Sequence, residues 1–208
     1  MIHQHELKAN DVHAYTLEML KEHLKIKVDG YICKTDMILN VLIKASAENS
    51  SLEAACGDLE ETADSNTIRE YLNEALPIKE LREQEKQVNK VLACGTPADL
   101  VRTDIEVALD FHDEPFYGKQ AGTRQVTCAG QAKKGTTHFV RIATAYIIWR
   151  QVRLTLAVRY VLPEDETLEI LKFLLQRLKK LGFKAKVLYM DKGFASTSII
   201  QYLTAQRQ

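Results

Sequence analysis

Apolar positions along the first hundred residues recur at helical spacing. Around Lys34–Gly57 the run TDMILNVLIKASAENSSLEAACGDL reads as two short amphipathic helices split by the polar break Glu48-Asn49-Ser50-Ser51. Ser51 is placed to cap the second, because its hydroxyl can accept a free amide hydrogen of the first turn. A third helix is expected from Ser65 or Asn66 to Pro77, with Ile68, Leu72 and Leu76 at four-residue spacing. Residues 77–103 follow as a polar, charged helix that breaks at Gly95-Thr96-Pro97. Glycine beside proline ends regular structure, so the domain boundary is expected there, dividing the chain into 1–97 and 98–208.

The period then changes from helical to alternating. DIEVALDFHD (Asp104–Asp113) predicts a short apolar strand that carries one carboxylate, Asp110, among hydrophobes. Gly118 to Gly135 reads as a glycine-rich, basic loop. THFVRIATAYIIW and VRLTLAVRYV, rich in β-branched and aromatic residues and separated only by Arg150-Gln151, predict an antiparallel hairpin. A helix is expected from about Asp165 to Leu181. Its first turn is acidic (Glu164, Asp165, Glu166), its last basic (Lys179, Lys180), and Gly182 closes it. Leu168, Leu171, Leu174, Leu175, Leu178 and Leu181 form its apolar stripe. KAKVLYMD gives one more strand ending at Asp191, and a last helix runs from Ser196 to about Ala205. The expected fold class is α+β: a helical front, then a mixed-sheet α/β domain in the order strand, strand, strand, helix, strand, helix.

Three short helices in the front domain match the outline of a helix-turn-helix DNA reader, with Asn66, Thr67 and Arg69 facing a groove. Against that stand Glu53, Asp58, Glu60, Glu61, Asp64, Glu70 and Glu74, which repel phosphate. A three-helix pack with no DNA role is the competing reading.

Composition adds one asymmetry. The 208 residues carry no net charge, yet residues 1–104 hold 12 basic and 19 acidic side chains, a balance of −7, and residues 105–208 hold 16 and 9, a balance of +7. Between Pro115 and Pro163 lie eight basic residues and no acid. Positive charge gathered in one stretch suits a polyanionic partner, and equally a solvated strand face. The four cysteines stand more than twenty residues apart, without the close spacing of a zinc or redox motif. No apolar run reaches the roughly 20 residues of a membrane helix, and the N-terminus lacks the order of a signal peptide, so a cytoplasmic protein with no membrane partner is expected.

A carboxylate inside an apolar strand is costly unless compensated. Asp110 sits in such a strand, and Asp191 ends another, the place where α/β folds gather ligands. If the first and fourth strands lie side by side, the two acids meet across 81 residues of sequence. Two adjacent carboxylates repel, which bound magnesium relieves, and a magnesium pair can activate water for phosphodiester cleavage. Other readings stay open: Asp191-Lys192-Gly193 as a plain turn, Asp110 paired with a buried arginine such as Arg141, and Asp113 and Glu114 as rival ligands.

ALDFHDEPFYGK, KKGTTHFVRIATAYII and VLYMDKGFASTSIIQYL together resemble the DDE transposases of insertion sequences, in particular the insertion-sequence-four superfamily with its RNase H-like catalytic domain. The resemblance covers residues 100–208 well and the helical front weakly. It implies catalytic, metal-binding roles for Asp110 and Asp191, two Mg²⁺ ions in the complete enzyme, and double-stranded DNA (element ends and target) as the partner, with a homodimer as a further expectation. DNA contacts are expected from Lys119, Lys133, Lys134, His138, Arg141 and Lys192. The family's third acid is a glutamate on a later helix. Residues 192–208 contain no Asp or Glu, so an incomplete RNase H-like domain that does not cut DNA alone is expected. A non-catalytic DNA-binding remnant competing for element ends is the alternative.

Overall fold

The computed structural model describes residues 8–100, 104–118 and 125–206. It divides into two compact units, Met1–Gln87 and Val88–Gln208, and the division falls within one helix.

The first unit holds α1 (Ala9–His23), α2 (Thr35–Ala47), α3 (Leu52–Asp58) and α4 (Ser65–Ala75). Ile38, Leu39 and Val41 of α2, Ala55 of α3 and Ile68 of α4 are buried together. Ser51 caps α3 as its sequence predicts, its Oγ accepting from the Ala54 amide at 3.1 Å. At α4 the cap is Asp64, which accepts from the Asn66 and Thr67 amides at 2.8 and 3.3 Å and from the Thr67 hydroxyl at 2.9 Å. Those hydrogen bonds, the Thr67 hydroxyl first, favour the ionised form and hold the Asp64 carboxyl below its ordinary value.

The helix α5 (Leu81–Cys94) is shorter than the polar run of 77–103. Pro77 has no amide hydrogen to extend a helix backward, and it begins a 3₁₀ turn, Ile78–Glu80. At the other end the helix stops before Gly95, and a second 3₁₀ turn occupies Ala98–Leu100.

The second unit is a five-stranded mixed sheet: β1 (Asp104–Pro115), β2 (Cys128–Lys133), β3 (Thr136–Trp149), β4 (Val152–Val161) and β5 (Lys184–Met190), with α6 (Thr167–Lys180) and α7 (Thr197–Ala205). The order is β2-β3-β1-β5, with β4 also on β3. The long β3 lets β2 pair its start (Cys128↔Phe139) and β4 its remainder (Arg141↔Val161 to Trp149↔Val152). β1 runs antiparallel to β3 and parallel to β5.

β2 corrects the reading of Gly118–Gly135 as one loop. CAGQAK is mostly exposed and has no apolar alternation, so the period-2 signal of a half-buried strand is missing. Its ladder is set by the turn instead: Lys134 (φ 49°) and Gly135 (φ 82°) are both left-handed, the conformation that matches a tight hairpin to strand twist. Arg150 (φ 49°) and Gln151 (φ 66°) do the same between β3 and β4, without a glycine.

One face of the sheet is dry. Val107, Leu109, Ala143, Ala145 and Leu156 pack with Ile170, Leu171, Leu174 and Leu178 of α6; each fully buried leucine or isoleucine contributes roughly 1.5–3 kcal/mol. Leu168, Leu175 and Leu181 are only partly buried at the margin. Gly182 (φ 82°) ends α6 with its amide on the Lys179 carbonyl, and the Phe183 amide reaches the Leu178 carbonyl, both at 3.0 Å. That paired closure needs a left-handed residue, which glycine supplies without a Cβ clash. The outer edge of β4 is met by Asn89 of α5, whose amide group donates to the Val158 carbonyl at 2.8 Å and accepts from its amide at 3.1 Å.

Candidate functional site

Along β1 the alternation is strict: Ile105, Val107 and Leu109 are buried, while Asp104 and Glu106 are exposed. Asp110 therefore falls on the face away from α6 and is half-buried there. Its antiparallel partner is Thr144 of β3. On the other side the parallel register runs Ala108↔Tyr189 and Leu109↔Met190, and the Asp191 amide donates to the Leu109 carbonyl at 3.1 Å. One step further along the ladder, Asp191 stands next to Asp110. The first and last strands of the unit are neighbours, and each aspartate directly follows the last residue paired between them, Leu109 or Met190.

What separates these two acids from their neighbours is how the others are engaged. Asp113 takes a two-pronged bond from Arg141, Nε to Oδ1 at 2.7 Å and Nη2 to Oδ2 at 3.0 Å. Glu114 meets His112, Glu106 accepts from the Tyr189 hydroxyl at 3.0 Å, and Asp165 accepts from the Leu162 amide at 2.9 Å. Among the described residues, neither the Asp110 nor the Asp191 carboxylate takes a hydrogen bond or an ion pair.

Arg141 consequently does not pair with Asp110. Asp113 is three positions after Asp110, so their side chains point to opposite faces of the strand, and Arg141 lies directly across from Asp113. The hydrogen bond from Arg141 holds the Asp113 carboxyl below its ordinary value, and the same bond raises the guanidinium's. Asp113 and Glu114, the rival ligands, are both occupied.

A pair of aromatic rings anchors the two strand ends. Phe111, next to Asp110, stacks on the buried Phe194, with ring centroids 4.3 Å apart. Gly193 sits against the same ring, and a Cβ there would lie 2.7 Å from Phe111 Cδ2. Beside them opens a cavity of about 590 Å³ lined by Asp113, Lys133, Arg141, Asp165 and Asp191. This clasp carries no local sequence signal; "DKGF" alone reads as a turn.

Of the expected DNA-contacting residues, Lys133 and Arg141 line that opening. Lys133 ends β2, Lys134 forms the left-handed turn after it, and both are exposed. His138 is half-buried in β3 opposite Ala129, and Lys192 is exposed in the turn that follows Asp191. Arg141 is committed to Asp113. Lys119 lies outside the described residues. In the first unit Arg69 folds back onto its own helix, donating to Ser65 Oγ and Asn66 Oδ1 at 3.2 and 3.1 Å, beside exposed Glu70 and Glu74.

Carboxylates supply hard oxygen ligands of the kind Mg²⁺ prefers, and magnesium sites take one or two of them with the rest from water and substrate; of the two aspartates, Asp191 lines the cavity and Asp110 is not among its lining residues. Among the described residues no three His, Cys, Asp or Glu side chains converge as a metal-binding group, and no helix is long and apolar enough to cross a membrane. Comparison with protein-family models, curated proteins and solved structures finds no match for this chain.

Proposed function

We propose that residues 88–208 carry the two-aspartate part of a DDE-type transposase centre on an RNase H-like fold, with Asp110 and Asp191 as ligands for Mg²⁺ and double-stranded DNA as the partner. The observation that carries this reading is the parallel β1–β5 register, which sets Asp110 beside Asp191 while every neighbouring acid named above is engaged elsewhere. The ion, when bound, offsets the repulsion of the two carboxylates and polarises a phosphodiester. Asp110 and Asp191 orient it, the Phe111–Phe194 stack fixes their spacing, and Lys133, Lys134, His138 and Lys192 contact phosphate. Arg141 works through Asp113 as a support for this wall and not as a phosphate ligand.

Residues 192–208 offer no carboxylate. The proposal is therefore that residues 1–208 alone bind metal and DNA without cutting, because the two aspartates lack the third acid that the resemblance implies. A non-catalytic role, competition for the ends of an insertion sequence, is the second reading, favoured by the lack of a third converging ligand among the described residues.

Titrating the protein with Tb³⁺ or Mn²⁺, followed by luminescence or electron paramagnetic resonance, tests the site directly. Asp110→Asn and Asp191→Asn are each expected to abolish the tight component, and Asp113→Asn to leave it. Equal metal binding in wild type and both site variants would sink the assignment. Magnesium-dependent nicking of plasmid DNA by residues 1–208, abolished in Asp110→Ala, would overturn the claim that this portion does not cut.

A further inference from the structure

Asp110 shares its face of the sheet with Thr144, directly across from it on β3. Strand alternation adds Tyr146 and Ile148 to that face, and with Ile148 its β4 partner, Arg153. The Arg153 side chain reaches back along β3. Its Cζ lies 3.7 Å from the centre of the Tyr146 ring, and its Nη2 donates to Thr144 Oγ1 at 3.4 Å. Arg153 is exposed, and among the described residues it has no ion pair and no other hydrogen bond. A long, rotatable side chain is thus laid over one aromatic ring, with its tip at the residue that faces Asp110. Side chains directly opposed in an antiparallel pair have Cβ atoms about 4.5–5.5 Å apart. A guanidinium over a ring is held by attraction to the ring face, and its remaining N–H donors form a fork that matches the oxygens of a phosphate.

We infer that Arg153 binds the same phosphate that an ion on Asp110 polarises, one oxygen going to the ion and others accepting from the guanidinium. The inference rests on the metal-binding reading of Asp110 and adds a cation on that residue's own face of the sheet. Lys133 and Arg141 line the cavity with Phe111 and Asp113, whose side chains take the other face. A phosphate that reaches Asp110 has to approach the face Asp110 occupies, so Arg153 stands where the substrate lies, whatever covers the rest of the sheet. The competing account is packing, the stem of Arg153 shielding Tyr146 from water. Any long apolar side chain would shield the ring equally, whereas the bond to Thr144 uses the guanidinium and directs it toward Asp110.

The test is fluorescence anisotropy of residues 1–208 with a short labelled DNA duplex over a salt series, with and without Mn²⁺. Mn²⁺ is expected to tighten binding by the wild type. Arg153→Met, which keeps a long apolar stem over Tyr146, should bind about tenfold more weakly in Mn²⁺ and lower the slope of log K against log salt by about one. Arg153→Lys should keep the slope and recover only part of the affinity, because an ammonium lacks the planar fork. Both variants should retain the wild-type melt and Tb³⁺ binding. In an Asp110→Asn background the loss from Arg153→Met should shrink, since the two groups no longer share a phosphate. Wild-type duplex binding by Arg153→Met overturns the inference, as does a lowered melt with no DNA effect, the outcome of a packing role. A loss of equal size in both backgrounds also overturns it, by placing the phosphate of Arg153 away from Asp110. If Tb³⁺ does not bind the wild type, the metal centre is what fails, and the salt slope of Arg153→Met without Mn²⁺ decides the phosphate contact by itself.

Discussion

The rings of Phe111 and Phe194 lie parallel within 10° and 4.3 Å apart between centroids, so the residue following one aspartate grips the turn that carries the other. Gly193 makes this contact sterically permissible. Gly193→Ala is expected to force the rings apart, because its Cβ would fall 2.7 Å from Phe111 Cδ2. Overpacking of this sort costs about 1–3 kcal/mol. Urea denaturation should show that destabilisation together with weakened Tb³⁺ binding, and an unchanged midpoint and titration would remove the clasp from the argument.

The Arg141–Asp113 pair should make stability depend on acid. Asp113's folded-state pKa is lowered, first by the Arg141 hydrogen bond. Its contribution is therefore present above the ordinary carboxyl value of about 3.9 and disappears as pH falls from there through the depressed folded value. Hydrogen bonds to charged groups contribute about 1.5–3 kcal/mol. Chemical denaturation of wild type and Asp113→Asn across acid pH checks this: the two curves should converge at low pH, and a constant gap would contradict the linkage.

Asn89 supplies the outer edge of β4 with both a donor and an acceptor, and it is 1% exposed. Asn89→Ala orphans the Val158 amide and carbonyl, at about 1–3 kcal/mol for each buried group. Asn89→Asp keeps an acceptor but turns an anion toward the Val158 carbonyl, and should destabilise near neutral pH with partial recovery in acid. Thermal melts of the two variants at two pH values distinguish this from a simple packing defect.

Lys133 lines the cavity that Asp191 also lines, and Lys134 and Lys192 are exposed in the turns after β2 and β5. Replacing each with glutamine should weaken binding to duplex DNA and lower the slope of log K against log salt by about one for every phosphate that is no longer neutralised. Filter binding over a salt series measures it. An unaltered slope in the triple variant would move the DNA-binding surface elsewhere.

Strong local patterns were legible in the sequence. The acidic start, leucine stripe and closing Gly182 place α6 within two residues, and the long Val/Ile/Thr runs around Arg150-Gln151 place β3 and β4. The neighbouring of the first and last strands also followed from their order. β2 was hidden because its residues are mostly exposed. α5 was legible as a polar, charged helix, but the charges of KELREQEKQVNKVL mask the burial of Glu85, Gln87 and Asn89. Of the candidate site, the two aspartates stood out as carboxylates in apolar strands. The partner of Arg141 and the stacking of Phe111 on Phe194 did not. Both depend on which face a side chain takes, and on a partner 28 or 83 residues away, so no window of sequence contains them.

The parallel pairing of β1 with β5 also sets a timetable. β1, β3 and β4 are joined by antiparallel ladders between segments close in sequence, whereas β5 must close a loop of roughly 80 residues before it gains its first bond to β1. Such long-range pairing is slow, and on a ribosome it waits until β5 has been made. The two aspartates are thus kept apart in a growing chain, and the strand ends that carry them meet only after β5 has paired with β1.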